Sequence, residues 1–412
     1  MEIKPILKTL IRNPVGLVLI SLQVALTLAI IVNALFIVNQ RMQSVSIDSG
    51  LDEENTLALT VSGYLDDYDT RSAIFNDLEY INSLSGVHSA MATNALPMTN
   101  SGWSNTVYNS DAENGINTNA ALYFADDSLA ETMDINLVTG RVFNQNEIGT
   151  YSIREDVLQP KVVIISVTLA KILYPEITEP EQALGKYVWF RGEEIPVAAE
   201  VIGLVDDIKA PWKRQFSSEF EQVLFVPYYP IFGNLSHYII RTKAGFFDDV
   251  FKNIQNQLLE LDNQRVVRSP TAFTEIRKDF YRNDNAMATM LSGVIALLLV
   301  INALGIIGLV SFWVTQRTKQ IGTRRALGAT KADILRYFIT ENLIISGIGV
   351  IIGLILAMAL NNWLITEFEL ARLPVVYLIL GALLVLVMGV VAVFGPAIRA
   401  ANIAPAIATR SV

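Results

Sequence analysis

Four long runs almost free of charge dominate this sequence: residues 15–38, 290–314, 339–360 and 375–394, among which Glu341 is the single charged side chain. A helix needs roughly 20 consecutive apolar residues to cross the hydrocarbon core of a bilayer, so each run is expected to be a spanning helix. One run lies near the N-terminus and three follow residue 289, which leaves 251 residues (39–289) between the first and second spans. That insert is long enough for one large domain or two modest ones. Lys4, Lys8 and Arg12 before the first run fit a signal peptide. A signal core is only about 7–15 residues, however, and no small-residue cleavage pattern follows Val38, so the segment is expected to remain as a helix.

Charge is divided sharply along the chain. The insert holds 19 Lys and Arg against 35 Asp and Glu, a net of −16, whereas the remainder holds 12 against 5, a net of +7. Basic residues collect in the N-terminal segment 1–14, in the loop 315–338 and in the tail 395–412 (Arg399, Arg410), while the short loop 361–374 carries Arg372 against Glu367 and Glu369. The bias of short cytoplasmic loops toward Lys and Arg then predicts both termini and the basic loop in the cytoplasm, and the acidic insert outside. An acidic insert and a sequence pI near 5.0 argue against a nucleic-acid partner, which needs clustered positive charge. With no cysteine, the exported region must fold without disulfides, and thiol catalysis and thiolate metal sites are excluded.

Within the insert, residues 56–62 and 87–93 read as strands flanking a helix over 69–85, with Ile74, Leu78 and Ile81 at helical spacing. The same order recurs over 236–242, 246–261 (Val250, Ile254, Leu258 on one face) and 265–268. Two βαβ-like halves are therefore expected to flank a mostly β lobe inserted over about 94–230. Its Asn- and Ser-rich opening, 94–119, reads as loop, and its strands as 161–166, 186–190 and 197–205. The fold class is α+β: four membrane helices carrying a large extracytoplasmic domain. A helix starting at Thr271 is expected to run unbroken into the second span.

Signatures of catalysis are missing. No phosphate-binding loop of the form G-x-x-x-x-G-K-[ST] and no G-x-S-x-G occurs. His88 and His237 have no zinc-ligand spacing. The acid pairs Asp66-Asp67, Asp126-Asp127, Asp206-Asp207 and Asp248-Asp249 lack EF-hand spacing and read as solvated turns and helix starts. In the spans, Gln23, Thr27, Asn33, Asn302 and Asn342 are polar, and Glu341 sits about one turn inside the cytoplasmic boundary, where snorkelling would tolerate it. Small residues at Gly305, Gly308, Gly349, Gly353, Gly381 and Gly389 allow close helix approach, within the chain or at a subunit interface.

The loop 316–338 (QRTKQIGTRRALGATKADILRYF) carries the most information. Helix formers up to Leu327 stop at Gly328, a natural left-handed terminator, and Thr330 with Asp333 has the form of a capping box that starts the next helix. Ile321, Leu327 and Ile334 are expected to supply apolar contacts while Arg317, Arg324 and Arg325 stay cationic. The result is a helix, a tight break and a second helix, an arrangement suited to docking and unnecessary for lying on lipid.

Gln320-Ile321-Gly322, then Arg325-Ala326-Leu327-Gly328-Ala329-Thr330, with Glu341 in the third span, resembles the E-I-G-x-x-[RK]-A-[LI]-G-A-[ST] motif of MacB-like and FtsX-like ABC transporter permeases. Pro396-Ala397-Ile398-Arg399-Ala400-Ala401 and Pro405-Ala406-Ile407-Ala408-Thr409-Arg410 resemble that family's ending, with looser matches at 140–143, 162–169, 183–186 and 201–205. Gln320 and Thr409 depart from the family's glutamate and leucine. The resemblance implies a type VII ABC permease without its own ATPase domain: no cofactor bound by this chain, and ATP and Mg on a separate cytoplasmic ABC ATPase dimer. It also implies a second permease chain, identical or paralogous, surrounding membrane lipids, and a periplasmic adaptor with an outer-membrane channel. Residues 317–338 would be the coupling segment, with Arg317, Gln320, Ile321, Gly322, Arg324, Arg325, Ala326, Leu327, Gly328, Ala329, Thr330 and Asp333 as its contact set. Efflux of peptides, drugs or other amphiphiles by mechanotransmission is the implied activity. Lipoprotein extraction and an FtsX-like non-transporting regulator of a cell-wall hydrolase are the alternatives.

Overall fold

The computed structural model describes residues 14–46, 49–112, 114–153, 156–191, 196–212, 221–368 and 371–404. Lys4, Lys8, Arg12 and the terminal motif from Pro405 to Arg410 lie outside them. Two compact units form: one gathers the N-terminal helix and the chain from Asn283 onward, the other is Ile47–Arg282.

The first unit is helical. α1 (Pro14–Ser46) is long and apolar enough to span a membrane, as are the later helical stretches Arg282–Gln316, Lys331–Glu367 and Val375–Ala401. Its buried face, Ile20, Val24, Leu28 and Val32, forms the centre of an apolar cluster. Apolar runs of this kind are helical in lipid because every backbone group must bond within its own segment.

The second unit opens with β1 (Thr56–Gly63), α2 (Thr70–Ser83) and β2 (Val87–Thr93). Asp69 caps α2 by accepting from the Ser72 backbone N–H at 3.1 Å. An inserted lobe follows, built from β3 (Trp103–Tyr108), β4 (Asn117–Ala125), α3 (Leu129–Met133), β5 (Leu137–Gly140), β6 (Gly149–Ser152), β7 (Val162–Ser166), α4 (Val167–Leu173), β8 (Tyr187–Arg191), β9 (Pro196–Val205) and β10 (Val223–Ile231). The chain then returns through β11 (Leu235–Thr242), α5 (Phe247–Leu261), β12 (Arg265–Val267) and β13 (Thr271–Ala272). The outer strands form an antiparallel sheet ordered β12-β1-β11-β2, with β13 also on β1. Each βαβ half thus leaves a gap that a strand of the other half fills, the split arrangement of ferredoxin-like sheets. Ile74, Leu78 and Ile81 of α2 and Val250, Ile254 and Leu258 of α5 cover this sheet in one core.

In the inserted lobe the sheet runs β4-β3-β8-β9-β7-β10-β6, and pairing of β4 with β10 closes six of these strands on themselves. Closure leaves those six without a free edge. The opening expected to be loop contains β3, which pairs with β4 from Trp103 to Tyr108 and with β8 at Val107 and Tyr108. Its polar composition hid the strand: alternate residues Asn105 and Val107 share a face, and Val107 is fully buried. Asp126 departs from its expectation as well. It is buried, with Oδ1 accepting from the Ser128 N–H and Oγ at 2.9 and 2.6 Å, and burial pushes its carboxyl up to about 6. His88 is exposed, whereas His237 pairs with Thr60 Oγ1 at 3.0 Å, and burial lowers its pKa.

The helix expected to continue from Thr271 is interrupted. α6 (Phe273–Phe280) ends at Tyr281, whose φ of −92° and ψ of 5° leave helical geometry before α7 (Arg282–Gln316) begins. Phe280 and Tyr281 are both buried and pack edge-on at 5.1 Å.

Candidate functional site

α7 ends at Gln316, and a single non-helical residue, Arg317, separates it from α8 (Thr318–Ala326). The turn from Leu327 to Thr330 then leads into α9 (Lys331–Phe368), and α10 (Val375–Ala401) completes the bundle. Gly328 adopts φ +100°, its N–H bonds to the Arg325 carbonyl at 3.2 Å and that of Ala329 to the Arg324 carbonyl at 3.0 Å. A glycine closes the helix there because a side chain would be strained at positive φ. Thr330 Oγ1 accepts from the Asp333 N–H at 3.2 Å while Asp333 Oδ2 accepts from the Thr330 N–H at 2.9 Å, a reciprocal box that fixes the start of α9.

The inward face of α8 is tied to two neighbouring helices. Arg317 Nη1 meets both carboxylate oxygens of Glu341 on α9, at 2.8 and 3.0 Å, and its guanidinium lies 5.7 Å from the Trp313 ring. Glu341 is 1% exposed, so this ion pair, and not snorkelling to the surface, accommodates its charge. Ile321 and Gly322 are buried, and Ile321 joins Ile334, Phe338, Ala397, Ala400 and Ala401 in one apolar cluster. Arg325 Nη1 donates to the Ala401 carbonyl at 3.2 Å, satisfying an end carbonyl of α10. Arg324 stacks over Tyr337 at 4.8 Å.

The outward face carries Gln320, Ala326, Leu327, Gly328, Thr330 and Asp333, all exposed, with Ala329 half-buried; Arg324 is exposed as well, although its guanidinium rests on the Tyr337 ring. Leu327 departs from its expected packing role: it stands at the tip, 83% exposed. The twelve loop residues therefore split into an anchoring set (Arg317, Ile321, Gly322, Arg325) and a presented set. The sequence pattern missed one participant, Ala401, because a backbone carbonyl leaves no mark in residue type.

Among the glycines, a Cβ on Gly349 would lie 2.7 Å from the Ser21 carbonyl oxygen, and one on Gly353 2.9 Å from that of Ala25, so both let α9 lie against α1. Gly305 faces the side-chain amide of Gln23 on α1, whereas Gly308 faces open space.

A four-helix membrane bundle with a two-lobed insert after its first helix and a helix–turn–helix between its second and third defines a class of polytopic membrane proteins with a large extramembrane domain. Residues 17–259 match the MacB-like periplasmic core domain and residues 292–405 the FtsX-like permease C-terminal domain. The chain belongs to the MacB-like family of type VII ABC transporter permeases, as a membrane protein with a periplasmic domain. It is 30% identical over 258 residues to the macrolide export ATP-binding/permease protein MacB of Brucella melitensis, covering 60% of this chain and 38% of that protein. It is 25% identical over 307 residues to the uncharacterized ABC transporter permease YvrN of Bacillus subtilis, covering 70% and 69%. The periplasmic region of MacB from Actinobacillus actinomycetemcomitans aligns at 16% identity and a TM-score of 0.36, over 57% of this chain and 97% of that structure. The chain spans less than half the length of the full-length MacB relatives it matches.

Proposed function

We propose that this chain is the permease subunit of an ABC efflux system, with both termini and the α8 turn in the cytoplasm. A separate ATPase dimer docks on the outward face of α8, a second permease chain completes the transporter, and an adaptor with an outer-membrane channel receives the cargo. The observation that carries this reading is the division of α8. Its outward face presents an exposed apolar tip, Leu327, and an exposed Gln320, while its inward face is bonded to α9 through Arg317–Glu341 and to α10 through Arg325–Ala401. Force applied at the tip is thereby delivered to two spanning helices. Mechanotransmission fits spans whose buried carboxylate, Glu341, is already neutralised by Arg317 and offers no charged path through the membrane. The cargo of this reading is peptides, drugs or other amphiphiles, and the name of the Brucella relative, a macrolide export protein, favours the drugs among them.

The test exploits the absence of cysteine. Cysteines placed at Leu327 and at Val266, an exposed residue of β12, should label from opposite sides of the membrane; labelling from one side refutes the topology. Leu327→Asp and Arg325→Glu should each abolish co-purification of an ATPase from the native host. Retention of an ATPase by both variants, or recovery of a cell-wall hydrolase in place of an adaptor, would overturn the proposal.

A further inference from the structure

The inserted lobe meets the outer sheet through α3, which lies against β2 and β11. A file of polar side chains crosses this contact. Ser128 Oγ donates to Asp126 Oδ1 at 2.6 Å, Thr132 Oγ1 donates to Ser128 Oγ at 3.1 Å, and Ser89 Oγ of β2 lies 2.6 Å from Thr132 Oγ1. Ser128 Oγ also stands 3.4 Å from the Ala90 carbonyl of β2. Asp126, Thr132 and Ser89 are all buried.

A hydroxyl has one hydrogen to give. With the Asp126 carboxylate ionised, the hydrogens run along the file from Ser89 to Thr132 to Ser128 to Asp126, and Ser128 has none left for the Ala90 carbonyl. A neutral carboxyl donates its own proton to Ser128 Oγ, which frees the serine hydrogen for Ala90. This file therefore sends one hydrogen bond between the lobes in the charged state and two in the neutral state.

The charge has no cation to hold it among the described residues. Arg241 of β11 pairs with Asp52 and Asp134, Arg71 of α2 bonds to Thr150, and both His88 of β2 and Glu131 of α3 are exposed. The titratable groups that sense Asp126 are acids: Asp127 beside it and Tyr229 of β10. Burial, aided by Asp127, pushes the Asp126 carboxyl up to about 6 against the hydrogen bonds from Ser128.

We propose that Asp126, Ser128, Thr132 and Ser89 form a proton-operated latch between the inserted lobe and the outer sheet, tight when the carboxyl is neutral and loosened when it is charged. Ionisation withdraws a crossing bond and leaves a bare charge in a dry contact, so parting of the lobes, which wets the carboxylate, becomes easier. The latched value lies above the 3.8 of a hydrated carboxyl, so the latch is at full strength below pH 3.8, weakens between there and about 6, and is weakest above that. From pH 4 to pH 7 the population with the lobes parted rises about fiftyfold. The inference is independent of what docks at α8 and of what is exported.

The test is thiol labelling of the full chain in lipid nanodiscs with dithiodipyridine, which reacts with thiols in acid as well as at neutral pH. Met91→Cys reports the contact, because Met91 is buried and alternates onto the same face of β2 as Ser89. Ile254→Cys reports the core between α5 and the sheet, and Val157→Cys, exposed, gives the unprotected rate at each pH. Relative to Val157→Cys, labelling of Met91→Cys should rise about fiftyfold from pH 4 to pH 7, while Ile254→Cys stays protected. Adding Asp126→Asn should hold the rise within about twofold, and adding Ser89→Ala should speed labelling of Met91→Cys about fivefold at both pH values, because its bond crosses in either state. Protection of Met91→Cys that does not change with pH would overturn the proposal, as would a rise that survives Asp126→Asn. An equal rise at Ile254→Cys would show unfolding of the domain in place of parting lobes, and would overturn it too.

Discussion

Replacing Arg317 with alanine strands the Glu341 carboxylate in the bundle. The two partners are unequally buried, since the side chain of Glu341 is 1% exposed and that of Arg317 13%. Removing the cation leaves an anion with no route to water, and breaking a buried pair in this way costs about 3–5 kcal/mol. Removing the anion instead, by Glu341→Gln, leaves a long cation at the bundle's edge that reorients toward solvent, and the loss falls to about 1.5–3 kcal/mol, that of hydrogen bonds to a charged group. With the carboxylate gone, Arg317→Ala has little further to break, so the double variant should be no less stable than Glu341→Gln alone by more than about 1 kcal/mol. The coupling energy of the cycle is then about 3 kcal/mol. Unfolding by SDS titration in mixed micelles measures all four proteins. Additive effects, or an Arg317→Ala variant no weaker than Glu341→Gln, would show that the ion pair does not hold α8 to α9.

Asp126 makes stability pH-dependent. Its folded value of about 6 lies above the unfolded 3.8, so the folded chain holds this proton more tightly. The penalty for burying the charge is absent below pH 3.8, grows between there and about 6, and is complete above that; over two pH units it amounts to about 3 kcal/mol. Asp126→Asn should raise stability at pH 7 by up to that amount and change almost nothing near pH 3, and an unaltered pH slope in urea titrations would refute the assignment. Gly353→Val drives a side chain into the Ala25 backbone and should cost about 2–4 kcal/mol, whereas Gly308→Val meets open space and should stay within about 1 kcal/mol; thermal unfolding in detergent distinguishes the two. In the periplasmic domain, Arg265 and Asp77 are paired at 2.6 Å with both side chains 1% exposed, and Tyr238 donates to Asp77 at 2.8 Å. Arg265→Leu should destabilise that domain by about 3–5 kcal/mol and Tyr238→Phe by about 1–2, read by urea titration; equal losses would contradict the ion pair's role.

Much of this protein was settled by local chemistry. Spans reveal themselves by the absence of charge over a bilayer's thickness, because lipid admits few alternatives to a helix. Gly328 and the Thr330–Asp333 box are equally local: a positive φ and a cap involve a few neighbouring residues, so residue type announces them. The periodic faces of α2 and α5 are legible for the same reason.

What the sequence concealed depends on residues far apart. β3 is polar, and only its partners in β4 and β8 make it a strand. Asp126 reads as a solvated turn until the folded domain closes around it, and the helix break at Tyr281, where both aromatics of the Phe280-Tyr281 pair are buried, carries no glycine or proline to announce it. Glu341 was visible as a charge, but its partner 24 positions away was not, nor was the exposure of Leu327 opposite the buried Ile321. Periodicity and capping act over a turn of helix and are written in order along the chain; burial and pairing are decided by which surfaces meet, and tertiary packing alone determines that.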